Sequence, residues 1–398
     1  MELRAIYICP GDPYNSPRGG QTAFARQALN ALGGSFALVS PDEIGGKPRG
    51  EWFLDEWQGA PIWRFNIGDY APRNKARRPF IPRRVVFRRL IARYLPRIRK
   101  ISTRNLFCDS PETLGVLRQY EWESVCYRFA GLNNPVGVSR YPLLRVFASP
   151  FHRAMLRNLA ALSPEIVLAS ADQDAIERFA RENRDFCAKA PLKFFPTRFD
   201  PKTFYPSAPE PERRALNWER AYPRLVMVGR LCWVKGWRLA MEAVAILKKK
   251  YPNISLRFVG DGEDRNKITA SALELGLGER VIIDGFLTPE EVRRRLIAAD
   301  LFLVASHCEG WSLACAEALA CGKTCVSTAV SGARDMVRSG RNGYIVEGRS
   351  PEEYGSAIDR ALKLSADSSS ATFSTELSAR YSLATLGSEW RSLWSALR

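Results

Sequence analysis

The sequence predicts an α/β protein with two doubly wound parallel-sheet domains. Short apolar runs alternate with segments of helical periodicity through most of the chain, and glycine-containing turns follow several of these runs. The length of 398 residues suits two domains of about 200 residues each. An apolar content of 46% and a charged content of 25% are typical of a globular protein, and no apolar run is long enough to span a membrane.

Strand patterns in the first half of the chain are separated by helical patterns, for example at residues 21–32 and 153–162. The predicted strands are residues 3–9, 36–39, 62–65, 105–108, 125–129 and 166–169. A piece rich in proline and charge follows at residues 206–212. We therefore expect residues 1–205 to form an N-terminal Rossmann-like domain and residues 206–221 to form a linker.

The second half alternates more regularly between strand and helix patterns. Its predicted strands are residues 225–228, 256–259, 281–283, 301–304, 324–327 and 344–346, and its predicted helices are residues 237–249, 264–275, 289–298, 311–321 and 351–364. This alternation favours a parallel sheet covered on both faces, with ligands at the carboxyl ends of the strands. We expect residues 222–370 to form a second Rossmann-like domain and residues 371–398 to include a terminal helix that packs back on the first.

Two glutamates in the stretch from Ser306 to Gly322 form the most informative pattern of the sequence. Glu309 lies in the turn after an apolar strand, and Glu317 lies in the helix that follows. A carboxylate accepts hydrogen bonds from hydroxyl groups well. The pair is therefore a candidate for holding a sugar, although two glutamates at this spacing also occur by chance.

The start of the same helix is a candidate phosphate site. Its first amides have no partners within the helix, and such a helix start attracts negative charge. These amides belong to Trp311, Ser312 and Leu313. Together with the glutamates, they indicate a site for a sugar attached to a phosphate.

Turns after other strands supply further candidates. Arg230 and Lys235 follow the first strand of the second domain and could neutralise a diphosphate, although their position alone also suits solvated loop residues. Gly262 would let a flat ligand approach the backbone, and Phe286 follows the next strand. In the first domain, Gly19-Gly20 opens a helix but lacks the spacing of a dinucleotide fingerprint.

Taken together, these residues resemble the nucleotide-sugar glycosyltransferases of family 4, which have the GT-B fold, two Rossmann-like domains that face a cleft. The resemblance is close from about Arg224 to Val346 and looser in the first domain, which would be the acceptor side. Glu309 and Glu317 match the two glutamates of the family, and Arg230 matches one of the residues that bind the donor diphosphate.

The remaining matches carry over in the same way. Lys235 matches the second diphosphate-binding residue, and Gly20 matches the glycine-rich loop near the transferred sugar. Trp311-Ser312-Leu313 matches the segment whose amides meet the phosphate and sugar, with Ser312 in place of a usual glycine. The family often has a histidine at a strand end of the first domain, and here Tyr127-Arg128 takes that place.

The resemblance implies transfer of a sugar from a nucleotide diphosphate with retention at the anomeric carbon. Glu309, Arg230 and Lys235 would be catalytic, and UDP- or GDP-sugars would be the donors for a glycan or lipid-linked acceptor in cell-surface polysaccharide biosynthesis. The second domain has no Asp-x-Asp motif at a strand end, so we expect a metal-independent enzyme without a cofactor. The nine cysteines are scattered and fit no zinc pattern, as in a cytoplasmic protein.

The net charge of +17 is concentrated in one segment, residues 72–104, which has 13 basic residues and no acidic one. From Arg84 to Lys100, apolar residues recur on one side of a predicted helix and arginines cover the rest. The pattern favours a helix lying on an anionic membrane, at the inner face, over a core helix with a charged outer side. We expect no nucleic-acid partner, because no recognised nucleic-acid-binding motif accompanies the charge.

Two other functions remain open on the sequence. A sugar-nucleotide epimerase can share the GT-B fold, but it needs acid and base groups near the anomeric carbon, and the chain has only two histidines. A non-catalytic GT-B subunit is the other alternative. The presence of Glu309, Glu317, Arg230 and Lys235 argues against it.

Overall fold

The chain forms two compact units in the computed structural model, which describes residues 3–15, 19–68, 81–134, 136–137 and 142–395. The first unit comprises residues 1–197 and 386–398, and the second comprises residues 198–385. Residues 72–80 of the basic segment lie outside the described residues, as do residues 396–398.

The described residues of the first unit contain an eight-stranded sheet in the order β3-β4-β2-β1-β5-β6-β7-β8. All neighbours in it are parallel except β3 and β4, which pair antiparallel at one edge. The strands are β1 (Ala5–Ile8), β2 (Phe36–Ser40), β3 (Trp52–Trp57), β4 (Ala60–Asn66), β5 (Asn105–Cys108), β6 (Ser124–Phe129), β7 (Ile166–Ala169) and β8 (Leu192–Phe194). The central strands are buried along their whole length, as apolar runs in a doubly covered sheet require.

Helices connect these strands and cover the sheet. They are α1 (Gly20–Leu32), α2 (Arg83–Ile98), α3 (Leu114–Leu117), α4 (Ala148–Ala161), α5 (Gln173–Glu182) and α6 (Arg184–Lys189). Buried side chains of α2, α3, α4 and α5 share one apolar cluster with strand residues such as Ile6 and Ile8. These four helices therefore cover the same face of the sheet.

The apolar side of α2 is buried in the core of the first unit. Of the six side chains that we expected to meet lipid, Leu90 is half-buried against this core and the other five are buried in it: Phe87, Ile91, Tyr94, Leu95 and Ile98. Contact of this apolar side with a membrane is therefore a wrong expectation, because the sheet already covers it. The arginines on the opposite side are exposed: Arg84, Arg88, Arg89, Arg93 and Arg97.

The described residues of the second unit contain a six-stranded parallel sheet in the order β11-β10-β9-β12-β13-β14. Its strands are β9 (Arg224–Val228), β10 (Ser255–Val259), β11 (Val281–Gly285), β12 (Leu301–Val304), β13 (Thr324–Thr328) and β14 (Gly343–Val346). Its helices are α7 (Glu210–Ala215), α8 (Trp237–Leu247), α9 (Arg265–Glu274), α10 (Pro289–Ala298), α11 (Leu313–Ala320), α12 (Ala333–Met336), α13 (Pro351–Ser365) and α14 (Ser368–Ala379). The strand order reverses between β9 and β12, which is where a doubly wound sheet places its ligand.

The ends of the second unit differ from the predicted boundaries. The expected linker, residues 206–221, contains α7, which belongs to the second unit, and Arg213 in α7 forms an ion pair of 2.7 Å with Asp300. The polar stretch from residue 368 onward forms α14, which begins after the capping side chain of Asp367 and packs on α11.

The last helix, α15 (Leu386–Ser395), belongs to the first unit. Its Trp390 is 1% exposed and packs on the face of the sheet that α1 covers. The ring centroids of Phe24, Phe107 and Phe195 lie 4.9–5.9 Å from that of Trp390. The chain thus returns to the first unit to complete an aromatic core.

Candidate functional site

A pocket lies at the carboxyl ends of β9 and β12 in the second unit. Its lining brings together four residues that were predicted from the sequence, two from the loop after β9 and two from the loop after β12: Arg230, Lys235, Glu309 and Ser312. Because β9 and β12 are neighbours and parallel, the loops after them meet at the same edge of the sheet. The sheet order therefore explains why residues 230 and 309 come together.

Lys235 is positioned by a tight turn between β9 and α8. Gly236, which follows it, has φ +63°, a conformation that other residues rarely adopt. A Cβ at Gly236 would also run into the carbonyl oxygen of Ala305, so the turn lies directly against the end of β12. The amide of His307 donates to the carbonyl of Val234 at 2.7 Å and joins the two loops.

Lys235 and Glu309 form an ion pair inside the pocket. The Nζ atom of Lys235 lies 2.7 Å from Oε1 of Glu309, and the two side chains are 30% and 10% exposed. Burial disfavours the ammonium charge, but the charge of Glu309 and its hydrogen bond outweigh burial and raise the pKa of Lys235. The hydroxyl of Ser306 also donates to Oε1 of Glu309, at 2.6 Å. Lys235 is thus charged near neutral pH and is held by Glu309.

The loop that carries Glu309 is anchored by groups from distant parts of the chain. The carbonyl of Ser306 accepts hydrogen bonds from Thr328 Oγ1 at 2.8 Å and Arg349 Nη1 at 2.9 Å. Arg349 also donates to the carbonyl of Ala305 at 3.0 Å. None of the three positioning residues, Ser306, Thr328 and Arg349, was predicted from the sequence. Only Ser306 had a signal, its place next to the glutamate loop.

Arg230 is an exposed part of the pocket lining. Within the part of the chain that the structure describes, no carboxylate forms an ion pair with its guanidinium. Gly229, before it, has φ +146°, and a Cβ there would lie 3.2 Å from the Cε atom of Lys235. The glycine therefore leaves room for the lysine side chain beside the arginine.

Helix α11 begins two residues later than predicted, at Leu313. Ser312 is its N-cap, and its side chain caps no amide. The amide of Leu313 donates to the carbonyl of Trp311 at 3.0 Å, so it is already used, contrary to our expectation of an unpaired group. Among the described residues, no acceptor is recorded for the amide of Ser312, which lines the pocket.

Two further candidates lie within or beside α11. The side chain of Trp311 is 7% exposed and packs against Tyr381, with ring centroids 4.9 Å apart. Trp311 can therefore offer only its backbone to a ligand. Glu317 is half-buried in the second turn of the helix, and it is not part of the pocket lining.

Gly262 and Phe286 also lie outside the lining of this pocket. A Cβ at Gly262 would meet the backbone of Leu231, so packing of the two loops already explains the glycine. Phe286 follows β11 and is 58% exposed. A flat ring could therefore reach it from solvent.

In the first unit, Gly19 and Gly20 are exposed at the start of α1. The carbonyl of Gly20 accepts a hydrogen bond from Thr197 Oγ1 at 3.4 Å. Neither glycine has an atom within 4 Å of the place a Cβ would take, so the space beside this helix start is open.

A buried ion pair lies at the same edge of this sheet. Arg128 Nη1 is 3.7 Å from Asp109 Oδ2, and both side chains are almost completely buried. Burial raises the pKa of Asp109 to about 6, against the opposing charge of Arg128. Arg128 also donates to Ser170 Oγ at 2.7 Å. Arg128 belongs to the pair Tyr127-Arg128 that takes the place of the family's histidine, whereas Asp109 was not predicted from the sequence.

The described residues contain no group of three His, Cys, Asp or Glu side chains that could hold a metal ion. Among the same residues, no helix is both long and apolar enough to cross a membrane.

The match to a known protein family lies within the second of the two units. Residues 209–375 match the family model described as glycosyl transferases group 1. The resemblance to glycosyltransferases is confirmed. This match covers the pocket residues and lies within the second unit, whereas membership of family 4 in particular stays a prediction.

Several solved structures share the fold of this chain over its whole length. Sucrose-phosphate synthase from Thermosynechococcus elongatus has a TM-score of 0.79 and 21% identity, with 100% of both chains covered. HepE from Anabaena has a TM-score of 0.69 and 16% identity, again with 100% of both chains covered. The predicted GT-B fold class is therefore confirmed.

Curated relatives match part of the chain. A D-inositol 3-phosphate glycosyltransferase of Frankia alni is 32% identical over 173 residues, 41% of this chain and 42% of the relative. A lipopolysaccharide core biosynthesis glycosyltransferase of Rhizobium meliloti, LpsE, is 32% identical over 151 residues, 38% of this chain and 43% of the relative. The chain spans about half the length or less of these relatives.

Proposed function

We propose that this protein is a retaining glycosyltransferase that moves a sugar from a nucleotide diphosphate to a glycan or lipid-linked acceptor. The pocket at β9 and β12 carries the proposal, because it combines two cations, a carboxylate and a helix start. A diphosphate needs the cations and amides, and a sugar needs the carboxylate. Few other ligands need both sets at this spacing.

The Lys235–Glu309 pair suggests how the empty and loaded sites differ. Without donor, Glu309 compensates the charge of Lys235 at 2.7 Å. A bound diphosphate brings its own negative charge, and Lys235 can turn to it together with Arg230. Glu309 is then released to accept hydrogen bonds from the sugar. Ser306, at 2.6 Å, keeps the carboxylate in place during this exchange.

The proposed reaction breaks the bond between the anomeric carbon and the phosphate oxygen. The acceptor oxygen forms its bond to the same face of that carbon. Its proton passes to the departing phosphate oxygen, so no protein base is required. Arg230, Lys235 and the amide of Ser312 stabilise the negative charge that develops on the diphosphate. This arrangement needs no metal ion.

The relatives support the donor and acceptor classes that we propose. HepE was solved in complex with UDP and glucose, and with UDP-glucose. A relative from Mycolicibacterium smegmatis, 28% identical over 207 residues, is a GDP-mannose-dependent mannosyltransferase acting on phosphatidylinositol monomannoside. We therefore propose a UDP- or GDP-sugar as donor and a role in cell-surface polysaccharide biosynthesis, with Gly20, Glu317 and Phe286 as further donor contacts.

We also propose a cytoplasmic protein that contacts the inner face of the membrane through the exposed arginines of α2. The apolar side of this helix is buried, so its contribution is electrostatic. Each basic side chain near an anionic surface contributes about 1 kcal/mol. Arg88, Arg89 and Arg93 are exposed and could all take part.

A thermal-shift screen with UDP-, GDP-, ADP- and dTDP-sugars tests the proposal first. We expect the nucleotide sugars of one of these bases to raise the melting temperature of the protein. NMR of the glycoside formed from that donor should then show the same anomeric configuration as the donor. Conversion of the donor sugar without any acceptor would support an epimerase instead. If none of the donors bound, the result would support a non-catalytic subunit.

A further inference from the structure

Four buried polar side chains meet where neighbouring strands of the first unit end. Asp109 follows β5, Arg128 lies near the end of β6, and Ser170 follows β7. Thr197 lies beyond the end of β8. All four residues are 1–2% exposed. Because these strands are parallel neighbours, their carboxyl ends bring the four residues to one edge of the sheet, and we call them the Arg128 cluster.

The guanidinium of Arg128 joins the cluster. Its Nη2 atom donates to Ser170 Oγ at 2.7 Å and to Thr197 Oγ1 at 3.3 Å. Its Nη1 atom lies 3.7 Å from Asp109 Oδ2, and neither Nη1 nor Nε has a hydrogen-bond partner among the described residues. Two buried charges contribute to stability only when their pairing is close and their remaining hydrogen bonds are made. Stability alone therefore does not explain a buried arginine at this place.

The cluster contacts the start of α1 at three points. The contacted residues lie in the first two turns of that helix: Gly20, Gln21 and Phe24. Thr197 Oγ1 donates to the carbonyl oxygen of Gly20 at 3.4 Å. Gln21 Nε2 donates to the carbonyl oxygen of Asp109, also at 3.4 Å. The Cζ atom of Arg128 lies 3.5 Å from the centroid of the Phe24 ring, close enough for a cation–π contact.

The start of α1 has few other constraints among the described residues. Its N-cap is Gly19, and no side chain caps its first amides. Gly19 and Gly20 are exposed, and no atom lies within 4 Å of the place that a Cβ of either would take. Two successive glycines have wide backbone freedom. The contacts of the Arg128 cluster therefore fix where the backbone of Gly20 lies.

We propose that the Arg128 cluster positions the start of α1, so that Gly20 is held in place for its contact with the donor. The inference rests on the proposed function, in which Gly20 is a donor contact. Thr197 is the direct link to the Gly20 carbonyl, and Arg128 is a positioning residue that acts through Thr197 and the Phe24 ring. Small displacements of groups that orient a substrate lower the rate of an enzyme strongly. Loss of the link should therefore lower turnover.

Thr197→Val tests the link, because it removes the hydroxyl with almost no change of volume. Thr324→Val is the matched control, since Thr197 and Thr324 are each 2% exposed. Thr324 Oγ1 lies 2.8 Å from Ser370 Oγ, at the start of β13 and thus at the end of the second sheet opposite the pocket. Both variants lose one buried hydroxyl, so we expect a similar fall in melting temperature.

Three measurements on the full-length protein separate positioning from stability. They are kcat and KM for the donor, the calorimetric affinity for the bare nucleoside diphosphate, and hydrogen exchange of the amides of residues 20–24. We expect Thr197→Val to lower kcat by at least about fivefold and to speed this exchange. Its affinity for the nucleoside diphosphate should equal that of the parent, because the proposed contacts of that ligand lie in the second unit. Thr324→Val should match the parent in all three measurements.

Arg128→Met removes the guanidinium, and Arg128→Lys restores a cation that can donate to Thr197. Arg224→Met is the control, because Arg224 is 6% exposed and its Nε atom lies 3.1 Å from Asp300 Oδ2 at the amino end of the second sheet. Both methionine variants break a buried ion pair and should lower the melting temperature. Below that temperature, Arg128→Met should lower kcat at least as much as Thr197→Val does, and Arg128→Lys should recover part of the loss. Arg224→Met should keep the kcat of the parent. If Arg128→Met did not fold, Thr197→Val would still decide the question.

Two results would overturn the proposal. Thr197→Val could turn over the donor as fast as Thr324→Val does, or its exchange at residues 20–24 could stay at the rate of the parent. A purely structural cluster would give these results, with only the melting temperature lowered. A parent that neither binds nor transfers any nucleotide sugar would instead refute the proposed function, and the positioning role with it. Failure of the positioning role alone would leave the activity of the parent intact.

Discussion

Replacement of Lys235 by methionine tests the pocket most directly. Methionine keeps the length and apolar stem of lysine but removes the ammonium that lies 2.7 Å from Oε1 of Glu309. If Lys235 turns to the donor diphosphate, the variant loses one charge-assisted hydrogen bond to a phosphate oxygen. Such a bond contributes about 1.5–3 kcal/mol. We therefore expect a roughly 10- to 100-fold weaker affinity for the nucleotide sugar, since about 1.4 kcal/mol is tenfold.

Glu309→Gln separates the two members of the pair. The change removes a negative charge next to the proposed phosphate site and leaves an oxygen that can still accept from Ser306. Binding of the bare nucleoside diphosphate should therefore stay equal or become tighter, while turnover falls by about one to two decades. Opposite effects of the two variants on the same pocket would distinguish an active pair from a purely structural one.

The assay is titration calorimetry, which measures the affinity of each variant for three ligands. These are the donor found by thermal shift, its nucleoside diphosphate and its nucleoside. Arg238→Met is the matched control, because it removes an exposed cation that pairs with Glu242 at 2.9 Å in α8. Its affinity should stay within about twofold of the parent, since exposed ion pairs contribute little. The reasoning would be refuted if Lys235→Met bound the donor like the parent, or lost nucleoside and donor equally.

Three further changes test the fold around the site. Gly236→Ala should lower the melting temperature more than Gly340→Ala does. Both glycines have positive φ, but only Gly236 lies against a carbonyl group, that of Ala305. Equal shifts in melting temperature would contradict this close approach. Burial raises the pKa of Asp109 to about 6, above the ordinary value of an aspartate, so folding favours its protonation. Urea unfolding should therefore show the parent gaining stability relative to Asp109→Asn as pH falls from about 6 to about 4, by at most about 3 kcal/mol, and a pH-independent difference would contradict the shift. Trp390→Ala should cost about 3–5 kcal/mol of unfolding free energy, against little for the exposed Leu54→Ala, and a similar small loss for both would place α15 outside the core.

The sequence was a good guide to the strands whose apolar runs are buried on both faces. Predicted strands 105–108, 166–169 and 301–304 have the observed bounds, because such runs have no polar alternation to obscure them. The edge strand β3 was missed, since its residues 52–57 alternate between half-buried and exposed and include two acidic side chains. Helix α14 was missed because its serines and threonines are typical of loops, although four of its side chains are buried.

The candidate site was predictable in part for the same reason. Arg230, Lys235 and Glu309 each follow a strand pattern, and parallel strands deliver such residues to one edge of the sheet. Their direct ion pair and the anchoring of the loop by Arg349 were not predictable. Arg349 follows Glu309 by forty residues, and only the sheet order brings β14 close enough for its loop to reach the carbonyl of Ser306.

The sequence alone thus determined the alternation of elements, the fold class and four residues of the pocket, because periodicity and turn chemistry are local properties. Tertiary structure decided which faces are covered. The apolar side of α2 and the short 3-10 helix Pro142–Phe147 both carry large apolar side chains, yet those of α2 lie in the core, whereas Leu143 and Val146 are exposed. Burial depends on what packs against a segment. The packing partners are set by the order of the strands in each sheet and by the return of the last helix to the first unit, and neither can be predicted from a local pattern of residues.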